Sequence, residues 1–138
     1  MINIDDLYNE AAKNDVIIVD EDLKSSEAMS ICDEGSCLVA IDSRKVKNSA
    51  DRLVKTAHEL GHCETGAFYN QYSCLNVVSK NEYIADKWAV QKLMPADELL
   101  SAVSEGYTEA WQLADYFGVT EDFVHKAYKI YKAMSVLD

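Results

Sequence analysis

The chain is poor in the residues that break a fold and in those that charge it positively. It has one proline and five glycines among 138 residues, too few for a collagen-like, low-complexity or linker-rich chain. Lys and Arg number 13 against 24 Asp and Glu, a formal net charge of −11. That balance argues against a nucleic-acid-binding surface, which needs basic residues to meet phosphate, and suits a basic protein or peptide as partner. No apolar run approaches the ~18 residues of a membrane span. Met1-Ile2-Asn3-Ile4-Asp5-Asp6 lacks the basic start of a signal peptide. A cytoplasmic protein without membrane contact is expected, with Cys32, Cys37, Cys63 and Cys74 reduced. Cys32 and Cys37 flank a turn at Asp33-Glu34-Gly35-Ser36 and would face each other across a hairpin. With the two distant cysteines they make only a weak structural-zinc pattern.

Histidine is scarce too, and its placement matters. Two of the three histidines lie in His58-Glu59-Leu60-Gly61-His62. With 11 Glu in the chain, chance would produce the H-E-x-x-H pattern only about 0.005 times. On a helix, positions i and i+4 share a face one turn apart, so the two imidazoles could share one Zn²⁺. Glu59 projects about 100° around the helix, beside the metal, where a general base belongs. The bland alternative is a surface helix with two unrelated histidines.

Catalytic zinc keeps three protein ligands and one open position. His125 is far downstream, so a carboxylate must complete the set. Glu82, in Asn81-Glu82-Tyr83-Ile84-Ala85-Asp86, is the best candidate, because the intervening residues allow a turn back into an antiparallel helix. Asp86 lies one helical turn from Glu82 and could accept the free N–H of a ligand histidine, His58 in particular, fixing its tautomer. Ala57 and Gly61 on one helix, and Ala85 and Ala89 on the other, would let the two approach closely. Gly61 could instead mark the helix end, although Gly66 is the better C-terminal cap.

The combination Ala57-His-Glu-Leu-Gly-His62, Asn81-Glu-Tyr-Ile-Ala-Asp-Lys-Trp-Ala89 and Leu93-Met-Pro95 resembles the ImmA/IrrE family of metallopeptidases, over roughly residues 1–120. The resemblance implies a gluzincin-like zincin fold and a peptidase activity. It carries the metal-ligand role to His58, His62 and Glu82, the catalytic-base role to Glu59 and the supporting carboxylate to Asp86. Zn²⁺ is the implied cofactor, with Mn²⁺ or Fe²⁺ also suited to such donors. Family members often occur in prophages and mobile elements, and several cut a helix-turn-helix repressor. The implied partner is therefore a protein substrate such as a transcriptional repressor, without direct nucleic-acid contact.

Composition, 49% hydrophobic and 27% charged, reads as one globular domain over 1–138. A helix is expected over 4–14, a buried strand at Val16–Val19, and strands at 27–32 and 37–42 joined at Gly35. The motif helix is capped by Asn48 or Ser49. A loop spans 67–80, and a second helix runs from 81 to 94 and ends at Met94-Pro95. Helices follow over 96–105, 108–117 and 120–136. The fold class is α+β, a small three-stranded sheet packed on helices. The C-terminal subregion, 107–138, reads as a helix-turn-helix-like pair meeting at Gly118. It carries three Lys against five Asp plus Glu, which suits a structural or docking role better than DNA. Cys37–Asp42 is either an edge strand receiving substrate beside the cleft or simply half of the core hairpin. His125, Tyr69, Tyr72 and Tyr83 are candidate oxyanion donors. The leading function is a zinc-dependent endopeptidase with Glu59 as base. The rival is a regulatory binding module whose metal is structural or vestigial.

Overall fold

The computed structural model describes residues 1–136. Helix α1, Ile4–Lys13, starts in a capping box: Asn3 accepts from the Asp6 amide and the Asp6 carboxylate accepts from the Asn3 amide. Its Leu7 and Ala11, four apart, are buried on one face. Strands β1 (Val16–Asp20), β2 (Ala28–Asp33) and β3 (Ser36–Ile41) form a mixed sheet in the order β1-β3-β2. β1 runs parallel to β3, and β2 antiparallel to it. The β2–β3 turn puts Glu34 at φ 50° and Gly35 at φ 83°. Two positive φ values match the strand twist of a two-residue hairpin and explain the glycine. Cys32 and Cys37 are register partners across that hairpin, as expected.

Two expectations about the sheet are corrected. β1 is not a buried strand. It is an edge, with Ile17 60% exposed, because a β-branched run reads alike whether one or both of its faces are covered. Of the two readings of Cys37–Asp42, the substrate-receiving edge fails and the half of a core hairpin holds: it is the central strand, flanked on both sides. Val39, Ala40 and Ile41 are correspondingly buried, and β2 is the edge on the hairpin side.

The chain leaves β3 through Asp42, which is 1% exposed. The Asp42 carboxylate accepts from the Leu23 and Arg44 amides and from the Arg44 guanidinium. The Arg44 hydrogen bonds and the Leu23 amide hold its carboxyl down to about 2. That anchor fixes the approach to α2, Ser49–Thr65, capped by the Asn48 side chain on the Asp51 amide. Gly66, at φ 70°, closes α2 in the left-handed conformation. Helix α3, Leu75–Leu93, packs along α2. It begins six residues before the expected start at 81. Asn76, Ser79 and Lys80 gave its first turns a loop-like composition.

Pro95 opens α4, Ala96–Ser104. Helices α5, Ala110–Phe117, and α6, Glu121–Ala133, meet at Gly118, at φ 70°. Phe117, Phe123, Ala127 and Ile130 join the same core as Leu7, Ile41, Leu60 and Leu93. The buried Tyr131 hydroxyl donates to the Met94 carbonyl at 2.6 Å, tying α6 to the end of α3. Among the described residues no helix is long and apolar enough to cross a membrane.

Candidate metal centre

α2 brings His58 and His62 to one side, and α3 brings Glu82 against them. Close approach is built in at Gly61, where an added Cβ would meet the Ala85 carbonyl oxygen at 2.7 Å. Gly61 therefore lies inside the helix and serves helix contact, not termination. His58 Nε2 lies 3.2 Å from His62 Nε2 and 2.8 Å from Glu82 Oε2, and His62 Nε2 lies 3.3 Å from Glu82 Oε1. Bonds of ~2.0–2.1 Å in a tetrahedral arrangement would set donors ~3.3 Å apart. The two imidazole nitrogens stand at that spacing, and Glu82 meets them through different oxygens, the one facing His58 closer than a shared ion would hold it. Among the described residues, these three are the group that could hold a metal ion.

Hydrogen bonding points the donors inward. His58 Nδ1 lies 2.7 Å from Asp86 Oδ1, and His62 Nδ1 lies 2.5 Å from the Ala67 carbonyl oxygen. A carboxylate and a carbonyl only accept, so each of these bonds takes its proton from Nδ1. In that tautomer both Nε2 lone pairs turn toward each other and toward Glu82, whose carboxylate also stands 2.8 Å from His58 Nε2. A cation resolves that arrangement, and the residues fit one.

Burial alone would lower the His58 pKa. The hydrogen bond to Asp86 and the charges of Asp86, Glu59 and Glu82 outweigh it and raise it. Burial would likewise raise the Asp86 carboxyl, but His58 and Lys126 bring it below the usual value. Lys126, on α6, stands 3.1 Å from the same Asp86 oxygen that faces His58. Glu59 is steered as well: Ser30 Oγ on β2 donates to Glu59 Oε1 at 2.8 Å. The Tyr69 hydroxyl donates to Glu82 Oε1 at 2.5 Å, and its pKa is pushed up to about 12, first by that bond and then by burial.

Two hollows meet at this centre. One is lined by Ala28, Met29 and Ser30 of β2 with Phe68 and Tyr69, the other by Val54 and Lys55 of α2 with Phe123 and Lys126 of α6. Glu59 and Glu82 belong to both. An IrrE N-terminal-like domain model (Peptidase_M78) matches residues 11–129. The chain belongs to this peptidase family. Searches of curated proteins and of solved structures returned no match.

Family membership accords with the metallopeptidase-type site, and the match extends through most of α6, where Lys126 lies. The five residues expected as metal ligands, base and supporting carboxylate are gathered there: His58, Glu59, His62, Glu82 and Asp86. The expected oxyanion donors separate. Tyr69 lines the cleft, whereas Tyr72 is 86% exposed. Tyr83 lines neither hollow at the metal centre. His125 lines a different hollow with Met94, Leu99 and Tyr128, because it faces the α4–α5 side while Lys126, the next residue, faces the metal centre. Ser30, Ala67 and Lys126 escaped the sequence reading. Ser30 and Lys126 reach the site through the tertiary fold, and Ala67 contributes only its backbone.

Proposed function

We propose that this chain is a zinc-dependent endopeptidase that cuts a protein substrate, with His58, His62 and Glu82 holding the metal and Glu59 as general base. The observation that carries the reading is the convergence of His58, His62 and Glu82 donor atoms, with the two histidines held from behind by Asp86 and the Ala67 carbonyl. A metal bound there supplies an acidified water and an electrophile for the scissile carbonyl.

Glu59 accepts the proton of the attacking water and delivers it to the leaving amine. Ser30 fixes the rotamer in which Glu59 does so. Tyr69 keeps its proton at neutral pH, and on turning from Glu82 its hydroxyl becomes a hydrogen-bond donor to the reacting carbonyl. β2, the edge strand lining one hollow, offers unpaired backbone groups to an extended peptide, so the substrate binds as an added strand. The net charge of −11 favours a basic substrate, and family resemblance points to a helix-turn-helix repressor of a phage or mobile element.

The test is co-expression with whichever helix-turn-helix repressor sequencing of the flanking genes finds. Parent protein yields a defined fragment, whereas Glu59→Gln keeps one equivalent of metal and yields none. Undiminished cleavage by Glu59→Gln, or no metal uptake by the parent, overturns the reading.

A further inference from the structure

The hollow on the α6 side, about 270 Å³, shares His58, Glu59, Glu82 and Asp86 with the metal centre, and its α6 wall has no part in the chemistry assigned above. It opens from Glu59 and Glu82 and is bounded by Val54, Phe123 and Lys126. An extended peptide advances ~3.3 Å per residue, so one lying along β2 with a carbonyl at the metal runs on into this hollow within a residue or two. Lys126 stands at its wall with its side chain 44% exposed, while its partner Asp86 is 19% exposed. An ammonium has three N–H donors. Asp86 takes one, and the rest are available.

The charge around the hollow selects what those donors meet. Lys126 is balanced by Asp86, and Lys55 by Glu27 and Asp51. Glu59 and Glu82 add negative charge on the metal side. An incoming carboxylate would find no uncompensated cation among these side chains, whereas a neutral carbonyl oxygen needs only a donor. Val54 and Phe123 offer an apolar bed beside it.

We propose that Lys126 anchors the substrate backbone, donating to a main-chain carbonyl of the peptide segment that lies in the α6-side hollow, with an uncharged side chain of that segment against Val54 and Phe123. The proposal rests on the peptidase reading and adds to it a substrate contact from the C-terminal helix pair. That pair is then one wall of the cleft.

Two metal-directed probes separate the possibilities in the zinc-loaded full chain. Acetohydroxamate engages the metal alone. A succinyl hydroxamate extended by a leucyl-alanyl amide also places backbone carbonyls to one side of it. Lys126→Met weakens the extended probe about tenfold or more, the worth of a hydrogen bond to a charged group. The same variant also removes a partner of Asp86, so zinc and acetohydroxamate affinity fall together, each by a smaller factor than the extended probe's. Equal loss for both probes, or no loss for either, overturns the proposal. Failure of the parent to take up zinc or acetohydroxamate sinks the peptidase reading itself, and the Lys126 assignment with it.

Discussion

Gly61 and Ala85 meet with no room for a methyl group: a Cβ at Gly61 would lie 2.7 Å from the Ala85 carbonyl oxygen. That contact sets the spacing of the helices bearing the histidines and the glutamate. Two effects compete in Gly61→Ala. Helix propensity favours Ala by about 1 kcal/mol, while overpacking against backbone costs about 1–3 kcal/mol. Net stability therefore falls by at most about 2 kcal/mol, but α2 and α3 must separate. Zinc affinity is expected to drop far more than thermal stability. Calorimetric zinc titration beside thermal melts checks it, and an unchanged affinity would show that the spacing is adjustable.

Ser30 supports Glu59 from another element, at 2.8 Å. Ser30→Ala removes one hydrogen bond worth about 0.5–1.5 kcal/mol, which corresponds to a fall in kcat of about two- to twelvefold. KM and metal content stay as in the parent, since Ser30 is not among the metal donors. Steady-state kinetics with metal analysis decides it. A change in metal content would mean that β2 shapes the donor triangle.

That His58, Glu59, His62, Glu82 and Asp86 come together was legible in the sequence, because each sits in a helix where spacing translates directly into a face. His58 and His62 are one turn apart, as are Glu82 and Asp86, and geometry alone makes each pair neighbours. What spacing cannot show is which strand of a sheet is outermost. β3 follows β2 through a tight hairpin, yet a parallel crossover places β1 on its far side, and this order depends on packing across the whole domain. The same holds for Lys126, which reaches Asp86 from 40 positions away, and for the first turns of α3, where Leu75 and Val77 are exposed and no apolar stripe marks a buried face.

Metal affinity should fall with acidification, with a sign fixed by His58. Binding requires an unprotonated imidazole. Its folded-state pKa lies above the ordinary 6.5 because of Asp86, Glu59 and Glu82. Zinc affinity therefore begins to decline at a pH above 6.5, earlier than for an unperturbed imidazole. Asp86→Asn brings that onset to lower pH, yet weakens binding about 10–100-fold at alkaline pH, where the loss of orientation is all that remains. Chelator competition from pH 5 to 9 separates the two effects.

The metal-free protein should show the reciprocal dependence in stability. The raised His58 pKa contributes stability that is complete below the unfolded value and lost as pH rises through the folded one. The lowered Asp86 pKa contributes stability present above its unfolded value and lost as pH falls through the folded one. Both operate together between the ordinary values of 3.8 and 6.5. Asp86→Asn should destabilise the metal-free chain most in that window and progressively less above it. Urea midpoints at pH 5.5 and 9 test this, and an equal loss at both would mean that Asp86 acts through packing.

Cys63 adjoins His62 in sequence, yet it should be the slow thiol. Burial, followed by the hydrogen bond and charge of Cys37, raises its pKa far above the ordinary thiol range, and the nucleophile in alkylation is the thiolate. Cys37 is raised as well, chiefly by burial, whereas Cys32 and Cys74 are exposed. Brief iodoacetamide treatment of the metal-free protein should label Cys74 and Cys32 first and Cys63 last, as read by peptide mass mapping. Zinc uptake should survive labelling of the first two, because neither is among the donors. Early modification of Cys63 would mean that α2 opens away from the sheet readily, and the donor triangle should then loosen with it.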